Sequence, residues 1–478
     1  MKKEQFGSTW GLIVSLLALA IGTGNIWRFP RVVALNGGGS FLIAYLIGLF
    51  AWAIPIILIE FSCGKKYEKG VFAVFSQMLG KHWGWMGAFV VFCTLGIMFY
   101  YSVVVGWCLK YFTLSFSGNL LSIDAGSVWT QFTINSWEPL FFHVLCISGA
   151  CFVVLLGVIK GIERVNLFVM PLFFLILIGL ALFAINLPNA SVGLDFLFYT
   201  DWSKLLNART WIEALSQAAW STGAGWGIIL SYAAYSHSKE DPLKHSFTTG
   251  FGDSSAALLA SVIILATLFS ALPEPEALSI AGSGNTGLTF ISLPHIFQDL
   301  AHGRILSTFF FLSLFCAAFT SLVSMIELGS HFLRDFGVKR STSVFFMLAL
   351  GLVIGAPSAI NINFLNNQDW VWGLGLLLSG LFFAILVHRF GIESFMSEML
   401  PNAPKLIKNS FIIIVKWVIP LEFILLLTWW GFQSINDNPG NWWHPFGTYS
   451  ISTCLFQWGI AILLLVWISP RLIKRIKE

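Results

Sequence analysis

Ala-Leu-Ala-Ile-Gly-Thr-Gly-Asn-Ile-Trp-Arg-Phe-Pro, residues 18–30, interrupts the first long apolar segment of the chain with two glycines, an asparagine, an arginine and a proline. Within a bilayer, backbone groups that lose their helical partners find no water, so a broken helix is stable only where protein buries it or where it lines a cavity. The freed carbonyls and the ends of the two half-helices then favour binding of a cation and an anion. The stretch predicts a membrane-embedded binding site and is typical of a transporter.

The composition excludes an ordinary soluble protein. Of the 478 residues, 57% are hydrophobic and 10% are charged, and the mean hydropathy is +0.80. A soluble chain carries about 25% charged residues. The seven cysteines are scattered without a CxxC pair, which favours small buried side chains over a disulfide framework or a metal site.

Apolar stretches long enough to cross a bilayer, which takes about 20 residues, recur along the whole chain. We predict an all-α integral membrane protein in which residues 1–478 form one polytopic domain with twelve transmembrane helices. The predicted spans lie near residues 8–33, 38–62, 84–114, 139–157, 163–186, 211–236, 247–272, 304–335, 341–360, 367–389, 411–432 and 447–469.

Basic residues flank alternate ends of successive spans. Lys65, Lys160, Lys239, Lys339 and Arg471 are examples, whereas the opposite loops hold few basic residues and several acids. The positive-inside rule therefore places both termini in the cytoplasm. The net charge of +4 reflects this topology and does not indicate nucleic-acid binding.

Residues 220–227, Trp-Ser-Thr-Gly-Ala-Gly-Trp-Gly, interrupt the sixth span as well. Glycine-broken segments at matching positions of two halves indicate a binding site near the membrane midplane, between inverted repeats. We predict repeats of five spans at 8–186 and 211–389, with the first and sixth spans discontinuous, followed by two additional helices within 411–469. Either glycine cluster alone is also compatible with close helix packing, because glycine is common in transmembrane helices.

Polar side chains within spans are costly and mark functional sites by default. Asn25, Ser221, Asp253, Thr320 and Ser321 lie in four different predicted spans, and their oxygen atoms suit a hard cation such as sodium. The sequence has no His/Cys cluster with metal-ligand spacing and no GxxxxGK[ST] phosphate-binding loop. We therefore expect neither a transition-metal centre nor ATP hydrolysis.

The motifs together resemble one family. Gly-Thr-Gly-Asn-Ile-Trp-Arg-Phe-Pro at 22–30, followed by Asn-Gly-Gly-Gly-Ser-Phe at 36–41, closely resembles the hallmark of the neurotransmitter:sodium symporters, which include bacterial amino-acid transporters. The resemblance covers roughly residues 7–469 and includes the pairs Tyr100-Tyr101 and Thr320-Ser321 and the stretch 217–227. It implies a sodium-coupled carrier of the broken-helix fold, and no enzymatic activity.

The resemblance also implies two sodium sites and one amino-acid site. Sodium site 1 is expected to use Ala20, Asn25, Ser221 and Asp253. Sodium site 2 is expected to use the carbonyls of Ala18, Ile21 and Ala317 and the hydroxyls of Thr320 and Ser321. The substrate is expected to contact Ala20, Gly22, Thr23, Gly24, Ile97, Tyr101, Trp220, Ser221, Gly223, Trp226, Ser321 and Met325.

Four positions bear on the substrate. Gly22 stands where monoamine carriers have an aspartate for the ligand's amine, and a glycine leaves room for a substrate that brings its own carboxylate. Trp220 and Trp226 narrow the expected cavity, although Gly223 can reopen space beside them. A neutral amino acid, small or hydrophobic, is therefore expected.

Asp253 stands where many relatives have asparagine, and Ala257 stands where chloride-dependent members have serine. A carboxylate beside sodium site 1 can offset the charge that chloride offsets in those members, so we expect independence of chloride. If burial favours its neutral form when sodium is absent, Asp253 can also carry a proton outward. A hydrogen-bonded structural aspartate is the alternative.

Two gates follow from the resemblance. Arg28 and Asp369 match the charged pair of the extracellular gate, and Lys3 with Asp335, near Tyr235, matches the intracellular latch. Exposed ion pairs are worth about 0–1 kcal/mol each, which suits a gate that opens in every cycle. Glu60 is expected to cap amides that the break in the sixth span sets free.

We therefore expect an importer in the inner (plasma) membrane, surrounded by lipid, that couples uptake of an amino acid to two sodium ions by alternating access. Two alternatives remain open. One is a sensor or receptor that binds an amino acid on the same fold without transporting it, and the other is a proton-coupled carrier with Asp253 as the proton site. The sequence does not determine the substrate, the stoichiometry or the oligomeric state.

Overall fold

A computed structural model describes residues 4–134 and 137–476 of the chain. Up to residue 198 the helices are α1 (Thr9–Ala20), α2 (Phe29–Leu35), α3 (Gly39–Gly48), α4 (Ile54–Tyr67), α5 (Val71–Leu79), α6 (Gly84–Ser117), α7 (Ala125–Ile134), α8 (Trp137–Leu155), α9 (Arg164–Ala184) and α10 (Ala190–Phe198). They continue with α11 (Ala208–Ser221), α12 (Ile228–Ala233), α13 (Pro242–Ala271), α14 (Glu274–Ala281), α15 (Gly284–Thr286), α16 (Leu293–Asp299), α17 (Gly303–Arg334), α18 (Arg340–Ile360), α19 (Ile362–Phe390), α20 (Ile392–Met399), α21 (Lys405–Ile413), α22 (Ile419–Asp437) and α23 (Ile451–Ile473).

Wider π-helical turns continue several of these helices. They are Gly24–Arg28, Leu49–Ala53, Val158–Glu163, Gly287–Ser292 and Ile414–Val418. Short 3-10 turns lie at Asn119–Leu121 and Lys204–Leu206. The described residues contain no β-sheet, only an isolated bridge between Gly38 and Thr200.

The described residues form ten helices long and apolar enough to cross a bilayer, and α1 with Gly24–Leu35 forms a further span bent by 56°. The sixth predicted span consists of α11 and α12, separated by residues 222–227, and each half is too short to qualify alone. The expected all-α membrane fold is confirmed, and the expected twelve spans are reached when α11 and α12 count as one broken span. The division into repeats at 8–186 and 211–389 stays a prediction.

The spans differ in burial, which separates a central group from a peripheral one. In the most apolar window of α6, 83% of the residues are buried inside the protein, against 22% in α23. The broken α1 and α11–α12 spans contact the central helices α13, α17 and α19. The peripheral helices expose large apolar side chains such as Phe168, Phe345 and Leu463, as expected of surfaces that face lipid.

Three glycines produce the break in the sixth span. Gly223, Gly225 and Gly227 have φ angles of +72°, +85° and +75°, a region that other residues rarely adopt. The freed amides at this break turn to Glu60 on α4: Gly225 N donates to Oε1 at 2.6 Å and Leu230 N donates to Oε2 at 3.3 Å. The expected capping role of Glu60 is thereby confirmed.

The break in the first span has a different construction. The α1 helix ends at Ala20, and Ile21 is extended. The Gly22 amide donates to Oδ1 of Asn25 at 2.9 Å, so a side chain within the motif satisfies one of the freed donors. The second half-helix then begins at Gly24.

Replacing Glu60 with alanine should destabilise the protein, because two buried amides lose their acceptor at a cost of about 1–3 kcal/mol each. We expect the midpoint of thermal denaturation in detergent to fall by several degrees in Glu60→Ala. The conservative Glu60→Gln variant keeps one acceptor oxygen, so its midpoint should lie between those of wild type and Glu60→Ala. An unchanged midpoint in Glu60→Ala would show that the break does not depend on this carboxylate.

Candidate functional site

A cavity of about 640 Å³ lies at the two breaks and extends to the face of the protein opposite the N-terminus. The predicted substrate residues all line it: Ala20, Gly22, Thr23, Gly24, Ile97, Tyr101, Trp220, Ser221, Gly223, Trp226, Ser321 and Met325. Its outer part is lined by polar side chains, among them Arg31, Arg209, Glu213, Asn285 and Asp437. The cavity therefore connects the breaks with the medium on this far face.

The second half of the first span presents its amino-terminal end to the cavity. Thr23 N donates to the hydroxyl oxygen of Tyr101 at 3.2 Å, which leaves the Tyr101 proton available for an acceptor in the cavity. A Cβ at Gly24 would meet no atom within 4 Å, whereas one at Gly22 would lie 3.2 Å from the Tyr101 oxygen. A backbone amide end beside a hydroxyl donor is suited to a carboxylate.

Tryptophan and aliphatic side chains form the wall below the outer part. The Trp220 Nε1 donates to the carbonyl of Gly373 at 3.0 Å, and the Thr94 hydroxyl donates to the carbonyl of Trp226 at 2.7 Å, so both indole residues are anchored to neighbouring helices. A Cβ at Gly223 would lie 3.0 Å from Leu19 Cδ1. The positive φ of Gly223 and the closeness of Leu19 thus explain the glycine at this position, which lines the cavity.

Asp253 is the centre of the predicted sodium site 1. Asn25 Nδ2 donates to its Oδ1 at 2.6 Å, and the Ser221 hydroxyl donates to its Oδ2 at 2.9 Å. Asn25 Nδ2 also lies 3.2 Å from Ser221 Oγ, and the Tyr45 hydroxyl lies 3.4 Å from Oδ2 of Asp253. The structure thus brings Asn25, Ser221 and Asp253 together. Ala20, the fourth predicted residue of this site, ends α1 and lines the cavity.

Ser321 joins the predicted residues of sodium site 2. Its hydroxyl lies 3.1 Å from the carbonyl oxygens of Ile21 and Ala317 and 3.4 Å from that of Ala18. The Thr320 hydroxyl lies 3.2 Å from the Ala317 carbonyl. All five predicted oxygen donors therefore meet where the end of α1 touches α17. The described residues contain no group of three or more His, Cys, Asp or Glu side chains arranged for a metal, so these oxygen sets are the candidates for cations.

Arg28 and Asp369 both line the cavity, but they are not bonded to each other. The Arg28 guanidinium donates to Gln217 Oε1 at 2.7 Å, lies 3.9 Å from Glu213 Oε2 and stacks on Trp220 at 4.2 Å. Asp369 instead accepts a hydrogen bond of 2.8 Å from Tyr100. Each side chain thus has another partner in this conformation, and the assignment of Arg28 and Asp369 to an extracellular gate stays a prediction.

The face that carries the N-terminus is closed by a network around Glu4. Its carboxylate pairs with Arg334 at 2.9 Å and with Arg340, and both arginines also reach Glu327, whose side chain is fully buried. Burial alone would raise the pKa of Glu4, but the hydrogen bonds and charges of the two arginines hold it below its ordinary value of 4.5. The segment before α1 is therefore fixed by ion pairs.

Tyr235 belongs to this closure. It lies on the side of the protein where it was expected, but its hydrogen-bond partners were not predicted. Its hydroxyl donates to Glu327 Oε1 at 2.7 Å and accepts from Arg334 at 3.1 Å, while its carbonyl accepts from Phe6 N at 3.0 Å. Phe6 is 1% exposed and packs edge-on against Tyr232 at 5.7 Å. The ring of Phe6 thus closes the protein interior on the N-terminal side of the two helix breaks.

Asp335 contacts the start of α5, where its carboxylate accepts the Gly70 amide at 3.0 Å. Lys3, its predicted partner, lies outside the described residues, so the latch between them stays a prediction. In the part of the chain that the structure describes, Glu4 forms ion pairs with Arg334 and Arg340 on this face.

Sequence reasoning missed Glu4, Glu213, Arg334 and Arg340 as gate residues. The available signal for the two arginines was their closeness in sequence to Glu327, an acid within a predicted span. Glu213 precedes Gln217 by one helical turn, so both face Arg28. No local pattern marked Glu4.

Comparison with known proteins agrees with this geometry. The model of the family described as "Sodium:neurotransmitter symporter family" matches residues 3–139 and 141–477. The chain belongs to this family. As a member it is a sodium-dependent transporter with several membrane spans and not an enzyme.

Relatives and a solved structure are similar over most of the chain. An uncharacterized sodium-dependent transporter of Methanocaldococcus jannaschii is 30% identical over 374 residues, 74% of each chain. The sodium-dependent serotonin transporter of Drosophila melanogaster is 25% identical over 463 residues, which cover 84% of this chain and 73% of the relative. The crystal structure of MhsT in complex with L-phenylalanine is 28% identical, with a TM-score of 0.79, and covers 89% of this chain and 99% of MhsT.

Neutralising Glu4 should loosen the segment that precedes α1. Because its pKa is lowered, the tie is fully present at neutral pH and is lost as the pH falls below the ordinary value of 4.5. We expect Glu4→Gln to speed hydrogen exchange of the amides of residues 6–12 at neutral pH by about fivefold, the effect of about 1 kcal/mol. Glu393→Gln, on the exposed side of α20, is the control and should leave exchange unchanged. Equal exchange in Glu4→Gln and wild type would contradict the ion-pair closure.

Proposed function

We propose that this symporter imports a neutral amino acid, small or hydrophobic, together with two sodium ions by alternating access. The observation that carries the proposal is a single cavity that contains all predicted substrate residues, with both predicted sodium sets beside it and with one end closed. Transport of this kind needs a site that is open to one face at a time. The L-phenylalanine bound to MhsT supports an amino acid as the substrate class.

The carboxylate of the substrate would bind where Gly24 opens the half-helix and Tyr101 offers its hydroxyl proton. The positive end of the helix dipole and two donors favour an anion at this place. Gly22 makes the position accessible, since any side chain there would press against Tyr101 and Ser321. A monoamine has no carboxylate to place here, which favours an amino acid.

The side chain of the substrate would lie between Ile97, Met325, Trp220 and Trp226. No titratable group stands among these four residues, so a charged substrate side chain would be desolvated without a partner. The indole rings of Trp220 and Trp226 limit the width of the cavity at this level, although the cavity is open above them in this conformation. These features support a neutral side chain and do not select one amino acid.

At sodium site 1, Asp253 supplies a full negative charge beside the ion and the substrate carboxylate. This charge replaces the one that chloride brings in chloride-dependent relatives, so we propose transport without chloride. Asn25 presents its amide nitrogen to Asp253 and its oxygen to the Gly22 amide. Because sodium binds oxygen, loading of the site would turn the Asn25 amide and release the Gly22 amide towards the cavity.

At sodium site 2, the ion would bind the carbonyl oxygens that the Ser321 hydroxyl now contacts, and this hydroxyl would keep its proton and turn it away from the ion. Oxygen ligands of hard cations lie about 2.3–2.6 Å from the ion for Ca²⁺, so neighbouring ligands lie about 3.3–3.7 Å apart. The present oxygen separations of 3.1–3.4 Å need little expansion to accept sodium. An ion at this place would hold α1 to α17, and its loss would free α1 to move.

The conformation described here corresponds to the state that faces outward, with the N-terminal face in the cytoplasm. The cavity is open to the far face, Arg28 and Asp369 are apart, and Glu4 with Phe6 closes the opposite end. In the proposed cycle, substrate and sodium draw the outer helices together. Release of α1 then opens the inner end.

Uptake of radiolabelled neutral amino acids into proteoliposomes tests the proposal. We expect accumulation of at least one amino acid with an inward sodium gradient, none without the gradient, and the same rate when gluconate replaces chloride. Sodium-dependent binding without accumulation would identify a sensor, and accumulation driven by a pH gradient in sodium-free buffer would identify a proton-driven carrier. Loss of uptake in gluconate would contradict the role given to Asp253.

Removal of one oxygen from sodium site 2 should weaken sodium binding selectively. We expect Ser321→Ala to raise the sodium concentration for half-maximal uptake by about tenfold, because loss of a buried polar ligand costs about 1–3 kcal/mol. Ser313→Ala is the matched control, since Ser313 is buried in the same helix but bonds only to the carbonyl of Phe310. If both variants show the same sodium dependence as wild type, Ser321 is not a ligand.

A further inference from the structure

Glu422 is a buried acid near the middle of the eleventh span and takes part in none of the sites described above. The span runs from Lys405 to Asp437, so Glu422 lies 17 residues after its start and 15 before its end. At about 1.5 Å per residue, these separations are about 25 Å and 22 Å. The carboxyl group therefore lies close to the midplane of the membrane.

The side chain faces the protein and not the lipid. On α22, Ile419, Glu422 and Leu426 form the buried stripe, and Glu422 is 4% exposed. Leu421 and Ile424, on the other side of the same turns, are each 58% exposed. An apolar residue would fill this interior position without cost, so packing does not require an acid here.

Neither carboxyl oxygen of Glu422 has a hydrogen-bond partner among the described residues. The other buried acids of the bundle differ in this respect: Glu60 accepts two amides, Asp253 accepts Asn25 and Ser221, and Glu327 pairs with arginines. An ionised carboxylate without a partner at the midplane is costly, so Glu422 is neutral in this conformation. The carboxyl group of Glu422 can therefore act by releasing its proton and binding it again.

No charged group of the neighbouring elements stabilises an ionised Glu422. The elements packed against α22 are α11, α19, α23 and the turn Ile414–Val418, which follows α21. Their titratable side chains, together with Asp437 of α22 itself, lie towards the ends of the helices or face outward: Arg209, Glu213, Asp369, His388, Arg389, Lys405, Lys408, Lys416, Cys454 and Arg471. Within the part of the chain that the structure describes, Glu422 forms an ion pair with none of them.

The helix that carries Glu422 also contacts both sides of the outer gate. Trp430, two turns further along α22, lies 5.4 Å from the ring of Trp220 on α11 and 5.7 Å from that of Trp370 on α19, and its Nε1 donates to Ser216 at 3.2 Å. Trp220 stacks under Arg28, and Trp370 follows Asp369. Through Trp430, a movement of α11 or α19 at the gate would act directly on α22, the helix that carries Glu422.

We propose that Glu422 is a proton-binding site whose proton is held in the outward-facing state and released in the inward-facing one, so that one proton enters with sodium and amino acid. The proposal rests on the transport function proposed above. Protonation of Glu422 stabilises the outward-facing state, in which the proton is held. A lower pH on the outer side therefore promotes the binding of substrate from that side. A single coupled proton changes such an equilibrium by up to about tenfold per pH unit.

Proteoliposomes with a trapped pH-sensitive dye test this proposal. The sodium gradient is fixed, the membrane potential is clamped with potassium and valinomycin, and an amino acid found in the uptake panel is added at several external pH values. In wild type we expect the lumen to acidify with uptake and the uptake rate to rise towards acidic external pH. Glu422→Gln mimics the neutral acid and should retain sodium-driven uptake while losing both effects. Glu422→Asp should restore them in part, and Glu393→Gln should behave as wild type.

The outcomes separate the two proposals. Absence of sodium-driven uptake of every amino acid by wild type overturns the transport function itself. Uptake without acidification in wild type, or unchanged acidification in Glu422→Gln, overturns the proton site at Glu422 and leaves the symporter intact. Acidification that survives Glu422→Gln but is lost in Asp253→Asn places the proton on Asp253 instead. If Glu422→Gln does not fold, the wild-type measurement and the Glu422→Asp variant still decide.

Discussion

The absence of water in the membrane interior governs this structure, because every backbone group freed by a broken helix must find a partner inside the protein. Glu60 meets this need at the sixth span by accepting the amides of Gly225 and Leu230, and Asn25 meets it at the first span by accepting the amide of Gly22. At both breaks, side chains accept hydrogen bonds from the backbone N–H groups that the break sets free. Among the side chains that the structure describes, the Ser321 hydroxyl is the one that bonds to the carbonyl oxygens of Ala18 and Ile21 at the end of α1, where we propose that a cation binds.

The two ends of the cavity are controlled by contacts of different kinds. On the N-terminal side, ion pairs of Glu4 combine with the buried ring of Phe6, so the closure excludes water as well as fixing the chain. On the far side, Arg28 is retained by Gln217 and Glu213 and Asp369 by Tyr100, which holds the two gate charges apart. The contacts of Arg28 and Asp369 on the far side are polar, whereas opening of the N-terminal side must also move the buried Phe6 ring away from Tyr232.

The spans and the breaks were predictable, because hydropathy and glycine spacing act locally and the membrane leaves few structures to choose from. The cavity lining was predictable only through the resemblance, which assigned residues as distant as Gly22 and Met325 to one site. The partners of the gate residues were not predictable, since they depend on which of several charged side chains lies nearest after folding. Thus the proximity of Arg28 to Glu213 and the ion pairs of Glu4 with Arg334 and Arg340 were not predicted.

Three buried acids of this bundle show how surroundings, rather than residue type, decide the role. Glu60 has two backbone donors and therefore serves a structural break. Asp253 is held by Asn25 and Ser221, whose donors a sodium ion can displace, so its charge is available to a cation. Glu422 has no hydrogen-bond donor among the described residues, so an ion would lack further ligands there and a proton fits better. The number of donors around each carboxyl group thus distinguishes the cap at Glu60 from the proposed cation ligand and the proposed proton site.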